Sequence, residues 1–422
     1  MEINLRFGMH KNIELIREQK QFYEGLVIPA NILAWQAPST SVFITSLPDK
    51  RYYIDPMTYI FQNQKIDHIV EKEDEGEVVR VSVQKMWDIY HEDLVPTLND
   101  LNKDEGFQIE DLPPADELCK NIGNFQLDFV SEKSKTSKAS KYTKRYENTD
   151  PTDPGFIVAP YFRFNDTQDP WYEFSLKCAR ITRSTFPDNT TAAVLHHSTN
   201  LKPLFDDIDR IVDDYSNFDK VLLWPDDFHQ RKVSIEEIQT LIQLIRGLNE
   251  EGVSTEALYG GYLFMLTGHF GLEGISHGIL YTEHKDSERS PGSAGGVPKR
   301  YYIQQFHNFL SLGKAQYIFQ SNPELMCDCD VCQEITNGNP DKVIPDYFDE
   351  DDLKRHFLRV RRKEIDNISN YTLGENLDEL KEIKDKYHNS INGLPNPDAK
   401  ISDSTQQGLG YLEKWIRAFG YH

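Results

Sequence analysis

Short apolar runs along the chain alternate with longer stretches in which apolar residues recur every three or four positions. That alternation is the pattern of βα units feeding a parallel sheet, whose strands are buried on both faces and read as near-continuous apolar segments. Eight runs qualify as predicted strands: 26–33, 41–45, 51–55, 156–162, 192–196, 221–224, 257–264 and 275–281. Helical periodicity is clearest over residues 234–248, where Ile235, Ile238, Leu241, Ile242 and Ile245 share one face. Ser234 is placed to cap that helix, and Glu237 completes a capping box. Eight strands with intervening helices predict an α/β fold of the (β/α)8 TIM-barrel kind, with an open doubly wound sheet as the runner-up.

Two segments break the alternation. Residues 71–124 are acidic and helical in parts, which reads as an insertion. Residues 131–145 (SEKSKTSKASKYTKR) hold five lysines and one arginine against a single glutamate, without apolar periodicity. They read either as a solvated flexible loop or as a basic arm that contacts phosphates. The expected division is a barrel over 1–320, with insertions near 71–150, and a metal-binding, helical C-terminal module over 321–422.

Charge sharpens the question of partners. The 422 residues carry a formal net charge of -22, so the surface as a whole repels nucleic acid and anionic membrane, and a polyanion must meet a local basic patch. No run approaches the roughly 18 apolar residues of a membrane span, and MEINLRFGMHKNIELIREQK lacks the apolar core of a signal peptide. The expectation is a cytoplasmic protein without a membrane partner.

Three of the five cysteines fall within six positions, Cys327-Asp-Cys329-Asp-Val-Cys332. A disulfide scaffold would spread them, whereas a cluster reads as metal binding. Closely spaced thiols in a turn supply three tetrahedral ligands at little loop-closure cost. The fourth is expected from His356, 24 residues beyond Cys332, inside DEDDLKRHFLRVRRKEI. There Leu353, Phe357 and Val360 form an apolar stripe, and the acidic run suits a helix N-terminus. A filled Cys3His set leaves no open position, so the expected zinc is structural.

This cysteine turn followed by a helix-borne histidine resembles the zinc module of the tRNA-guanine transglycosylase superfamily, which follows the last strand of a (β/α)8 barrel. The resemblance implies that residues 51–62 (RYYIDPMTYIFQ) form the third strand, ended by a general-base aspartate, Asp55. It implies that 274–281 (GISHGILY) lies where the nucleophilic aspartate belongs. The chain departs from the family in three places: Pro56-Met57-Thr58-Tyr59 replaces a serine-glycine-glycine-phenylalanine run, Ile279 stands where the nucleophile is expected, and the family's glycine-rich base-recognition segment is not cleanly present, with Gly260-Gly261 left to play a similar part. It is therefore similar to a divergent branch, such as the enzymes that insert 7-deazaguanine bases into DNA. Family members are commonly homodimers.

Base exchange at C1′ needs a carboxylate nucleophile on one face and a base for the incoming heterocycle, a logic shared with retaining glycosidases. Carboxylates at strand C-termini are the candidates: Asp55, Asp226 beside Asp227, and Glu283 with Asp286 after the last predicted strand. Each has the simpler reading of a capping or loop residue. Substrate contacts are expected from His196 of the pair His196-His197, from Gly260 and Gly261 as a base-recognition turn, and from His277 between Ser276 and Gly278. Tyr259 and Tyr262 are placed to stack a purine, although a histidine in an apolar strand and aromatics at strand ends are commonly packing residues. The expected function is a transglycosylase exchanging guanine for a free 7-deazaguanine in DNA or tRNA. The alternatives are a catalytically silent barrel that binds nucleic acid or a protein, and a barrel enzyme acting on a small nucleoside.

Overall fold

The computed structural model describes residues 1–8, 12–62, 70–73, 76–100, 106–144, 152–198, 201–280, 282–287, 299–391 and 408–420. Eight parallel strands make one sheet: β1 (Glu2–Arg6), β2 (Gly25–Pro29), β3 (Arg51–Asp55), β4 (Ile157–Val158), β5 (Thr191–His197), β6 (Lys220–Pro225), β7 (Ser254–Ala257) and β8 (Leu272–Gly278). Each pairs with its chain neighbour, and β8 returns to pair with β1 in the register Ile3 to Ile275 and Leu5 to His277. Between β3 and β4 the circle is nearly closed, with the Gly155 N–H reaching the Tyr52 carbonyl at 2.7 Å. The result is a TIM-like (β/α)8 barrel, as the alternation of apolar runs predicts.

The barrel interior is more polar than continuous apolar strands would suggest. On β3 the alternating residues Arg51, Tyr53 and Asp55 point inward, and on β1 so do Asn4 and Arg6, because they meet partners on strands that are not their neighbours. At the N-terminal end Asn4 donates to Glu256 on β7 at 3.0 Å, and Lys220 on β6 pairs with Glu256 at 2.7 Å. Arg51 lies between Glu2 and Glu256. At the C-terminal end Arg6 pairs with Asp55 at 2.7 Å, both buried. Charges in such a place persist only when they are paired and hydrogen-bonded. The lower ring serves stability, since barrel chemistry sits at the strand C-termini.

Three strand assignments need correction, the first being 26–33, where the strand ends at Pro29 and Ala30–Trp35 is a helix. Residues 41–45 are not a strand but the end of the helix Ala37–Thr45, buried from Thr40 through Thr45. It packs against the helix Ala115–Ser134, and the continuous burial of this β-branched run gives it the look of a buried strand. The strand that was missed is β1, EINLR, whose polar positions face into the barrel. The run 257–264 is also displaced: β7 ends at Ala257, and Tyr262–Leu266 is a helix. The helix Ile235–Glu250 forms with the expected capping box, Ser234 accepting from the Glu237 amide.

After β8 come a hairpin, β9 (Arg300–Ile303) and β10 (Asn308–Ser311), and the helices Leu312–Ser321, Asp330–Thr336, Glu350–Asn370, Leu373–Ile391 and Gly410–Ala418. They are packed into the barrel's own core: Trp415 is fully buried and its indole donates to the Gln230 carbonyl at 2.8 Å. Of the insertion, the helices Val81–Tyr90, Leu94–Asp100 and Ala115–Ser134 are described. The basic segment is partly helical, through the end of Ala115–Ser134 and the turn Ser140–Thr143. Tyr281 and Arg145, the ends of two predicted segments, lie outside the described residues. No described helix is long and apolar enough to cross a membrane.

Candidate metal centre and barrel mouth

The cysteine turn and the long helix converge as their spacing requires. One ligand atom from each of Cys327, Cys329, Cys332 and His356 lies within 4.8 Å of all the others, so the group could hold a metal ion. Asp349 caps the helix Glu350–Asn370 through a capping box with Asp352, which places His356 in its second turn, fully buried. The imidazole Nδ1 faces the sulfurs, 3.3 Å from Cys332 and 3.6 Å from Cys329. Its Nε2 is 2.8 Å from the Tyr302 carbonyl, an acceptor that fixes the proton on Nε2 and leaves Nδ1 free to ligate. Tyr301 stacks on the ring at 4.3 Å and places its hydroxyl 3.0 Å from the Cys332 sulfur. The Cys329 amide points at the Cys327 sulfur at 3.4 Å, and Arg359 of the helix clamps Asp330 of the turn.

At the opposite pole of complexity is the barrel mouth, assembled from many strand ends. Asp55, the last residue of β3, is 1 % exposed. It accepts from Arg6 at 2.7 Å, from the Tyr161 hydroxyl at 2.7 Å and from the Met57 amide at 3.0 Å. Burial pushes its pKa up, but Arg6 and Tyr161 outweigh burial and hold the carboxyl below its ordinary value. A rise towards the range useful to a base is therefore not what the site produces. Asp226, directly after β6, accepts from the Ser287 amide at 2.7 Å and its hydroxyl at 2.5 Å, with Arg163 at 3.7 Å. Burial again raises its pKa, but the contributions that lower it, among them the two hydrogen bonds from Ser287, outweigh burial and leave it ionised.

Between these carboxylates lie aromatic rings. His196 of β5 and Trp224 of β6 are register neighbours and stack at 3.7 Å and 5°. Tyr59 stands edge-on to both rings, and Tyr161 is stacked on Tyr59 at 6.0 Å. Arg6 covers the Tyr259 ring at 4.2 Å. Lys285 enters this group from the loop after β8 and is hydrogen-bonded to the Tyr59 hydroxyl. Both His196 ring nitrogens and the Trp224 Nε1 are buried without a hydrogen-bond partner. The His196 Nε2 stays 3.9 Å from Asp226, and burial keeps the imidazole neutral. Backbone strain is concentrated here too: Met57 and Asp227 are two of the four described non-glycine residues with positive φ, and each follows a mouth carboxylate.

The remaining candidates are placed elsewhere. Glu283 turns away to the helix Glu350–Asn370, where it binds buried Arg361, and it accepts from Gln230 at 3.1 Å. Arg361 also holds Glu364 at 2.9 Å, and Glu364 meets His307 at 2.6 Å and Tyr302 at 2.9 Å. His277 points outward from β8 against Phe357 at 5.2 Å, and burial and Arg361 lower its pKa to about 3. Gly261 is required by packing, since a Cβ there would come within 2.7 Å of the Gln230 amide group, while the Gly260 amide reaches the Ser276 carbonyl. His197 has its two nitrogens against the carbonyls of Ser198 and Asn165. Tyr259 faces the mouth, whereas Tyr262 stacks on His307. Asp286 lies on the loop between Lys285 and Ser287. Arg6, Tyr59, Tyr161, Trp224 and Lys285 were not foreseen, although Arg6 and Trp224 stand at strand ends, where a barrel keeps its chemistry.

Comparison with protein-family models and with curated proteins gives no match to this chain.

Proposed function

We propose that the protein is a guanine transglycosylase that exchanges guanine for a 7-deazaguanine base in nucleic acid, with the barrel mouth as its active site. The observation that carries this reading is the pair of buried, ionised carboxylates Asp55 and Asp226, flanking rings whose His196 and Trp224 nitrogens lack partners. Buried polar atoms are almost always hydrogen-bonded, so unpartnered ones in an aromatic mouth suit a planar, polar heterocycle. The cysteine turn and helix-borne histidine, which resemble the module of the tRNA-guanine transglycosylase superfamily, favour the same assignment.

The roles of the two carboxylates differ from the pattern expected from the resemblance. Attack on C1′ needs an ionised oxygen, which both have. Asp55 spends its oxygens on Arg6, Tyr161 and Met57, so it is better suited to ordering the mouth and stabilising positive charge on the sugar. Asp226, held by one serine and with its guanidinium neighbour at 3.7 Å, is the assigned nucleophile. The carboxylate oxygen bonds to C1′ as the bond to guanine breaks, and the incoming base then displaces it. Glu283, tied to Arg361, is assigned to holding the C-terminal module.

Zinc is the ion that fits the cluster. With bonds of about 2.3 Å to sulfur and 2.0–2.1 Å to nitrogen, tetrahedral zinc separates these atoms by about 3.5 Å, close to the two sulfur–Nδ1 distances. Four protein ligands leave no site for water, so the metal's contribution is structural. The unpaired state of all five cysteines suits a reducing, cytoplasmic setting. For the polymer, a groove of about 640 Å³ joins Lys138, Lys141 and Tyr142 of the basic segment to Trp35, which is 49 % exposed. Cations beside open rings are the features that hold single-stranded nucleic acid.

The test is incubation with labelled guanine and, separately, DNA or tRNA, followed by mass spectrometry of the nucleosides. Exchange into one polymer, and loss of both exchange and covalent adduct in Asp226→Asn, supports the reading. A wild-type protein that binds polymer without exchange or adduct is the silent barrel, a reading favoured by how closely the mouth rings pack on one another.

A further inference from the structure

We propose that Lys285 carries the proton between the departing guanine and the incoming 7-deazaguanine, an assignment that rests on the base-exchange reading above. The loop that bears it is fixed in place from both sides of Asp286. The Lys285 carbonyl accepts the Asp227 amide at 2.8 Å, and Ser287 grips Asp226 with amide and hydroxyl. The ammonium is thereby delivered into the rings, 4.6 Å from the centroid of Tyr59, 5.5 Å from Trp224 and 5.9 Å from Tyr259. Its hydrogen-bond partner there is a phenol rather than a carboxylate. A lysine committed to structure would be expected to end on a carboxylate, as Lys220 does on Glu256 in the lower ring.

The groups facing Lys285 are Arg6 from β1, Asp55 from β3, Tyr59, His196 and Asp226 from the ends of β5 and β6, and Tyr259 after β7. Arg163 lies behind Asp226. Burial and then the charge of Arg6 lower the lysine pKa to about 8, while Asp55 and Asp226 support the charged form. The other proton carriers are poorly tuned: Asp55 and Asp226 stay ionised, and burial keeps His196 neutral. A group that titrates near the working pH serves as acid in one step and base in the next.

In the first step a carboxylate oxygen bonds to C1′, the C1′–N9 electron pair leaves with guanine, and the Lys285 proton passes to that base. In the second, the ring N–H of the incoming base gives its proton to the neutral amine as its nitrogen bonds to C1′ and the carboxylate departs. Protons and bonds balance over the cycle, and no co-reactant is needed.

The experiment uses the full chain, wild type and Lys285→Gln, with labelled guanine and the polymer that supports exchange, and with the same polymer bearing 7-methylguanine. A 7-methylguanine residue is already cationic and leaves as a neutral base, so it needs no proton from the protein. Wild-type exchange should fall above pH about 8. Lys285→Gln should lose about 10²–10³-fold in kcat, lack that alkaline limb, and release 7-methylguanine at close to the wild-type rate. Lys285→Arg, a cation that does not titrate in this range, should remain slow. An unchanged pH profile in Lys285→Gln, or 7-methylguanine release reduced as much as guanine exchange, overturns the role. Failure of the wild-type protein to exchange guanine or release 7-methylguanine overturns the base-exchange reading and the role with it. Differential acetylation across pH, read at Lys285 by mass spectrometry, checks separately that the amine titrates near pH 8; an ordinary lysine titration there removes the basis of the role alone.

Discussion

The metal centre and the barrel mouth are both buried constellations of reactive groups, yet they are built in opposite ways. The first draws its ligands from one turn and one helix, at Cys327, Cys329, Cys332 and His356, and its supports come from the adjoining hairpin. The second gathers Arg6, Asp55, Tyr161, His196, Asp226 and Lys285 from segments spread over 280 positions of the chain. In the metal centre a ligand that goes missing leaves an incomplete shell, and the local fold goes with it. In the mouth each charge already has a protein partner, so the barrel stands without any ligand, and a substitution tests chemistry and stability together.

The comparison predicts its largest effect at the turn. Purified protein should carry one equivalent of zinc, and Cys329→Ser should lose it and aggregate. Structural zinc is worth on the order of 10–16 kcal/mol in small modules, as much as the whole usual margin of stability of about 5–15 kcal/mol. Metal analysis that finds no zinc, or finds iron, breaks this half of the contrast.

Next in size is Asp55→Asn. As a mere helix cap the residue would cost about 1 kcal/mol on replacement. The structure instead pairs it with buried Arg6, so removing its charge should cost about 3–5 kcal/mol and abolish exchange, with zinc content unchanged. A urea titration that shows a loss of only about 1 kcal/mol, with exchange intact, would return Asp55 to a capping role.

Acid should expose the buried histidines. His277 and His197, lowered to about 3 and about 4, stay neutral in the fold while the unfolded chain takes up protons below pH about 6.5. Stability is therefore greatest above that pH and falls as pH drops towards the folded values, by about 2 kcal/mol per histidine at pH 5. In His277→Gln the decline between pH 7 and 5 should be shallower by about that amount. A slope identical to wild type would show that the imidazole takes up its proton in the fold as it does in the unfolded chain.

The smallest effect is expected at the groove, which lies outside both constellations. Changing Lys133, Lys135, Lys138, Lys141 and Lys144 to glutamine should weaken polymer binding and reduce the salt slope by roughly 0.7–0.9 for each phosphate that is no longer neutralised. Trp35→Ala should weaken binding by about 1–3 kcal/mol with the slope intact. Melting temperature and zinc content should not move in either variant. Unchanged affinity and slope make the segment a solvated surface.

Parts of this could be read from residue order and parts could not. The helix Ile235–Glu250 was legible because Ser234, Glu237 and its apolar face are a local pattern. The helix Ala37–Thr45 was not, because neighbouring helices bury it continuously from Thr40 to Thr45 and override its β-branched appearance. Strand β1 was hidden for the converse reason, as Glu2, Asn4 and Arg6 are polar and point into a core. Asp55 and Asp226 were legible as carboxylates at strand ends, but their ionisation depends on Arg6, Tyr161 and Ser287, which are distant in the chain. Nothing beside Lys285 in sequence marks it, since its phenol partner lies more than 200 positions away.

By itself, then, the order of residues determined the features whose physics is local: the alternation of strand and helix, the capping of helices, and a ligand set closed within one turn and one helix. Tertiary structure alone decided which polar side chains turn inward, which charges meet across the barrel, and which protonation states they hold. The reason is electrostatic. A pKa is set by burial and by charges a few ångströms away, and in a closed barrel those neighbours come from strands that the chain visits far apart.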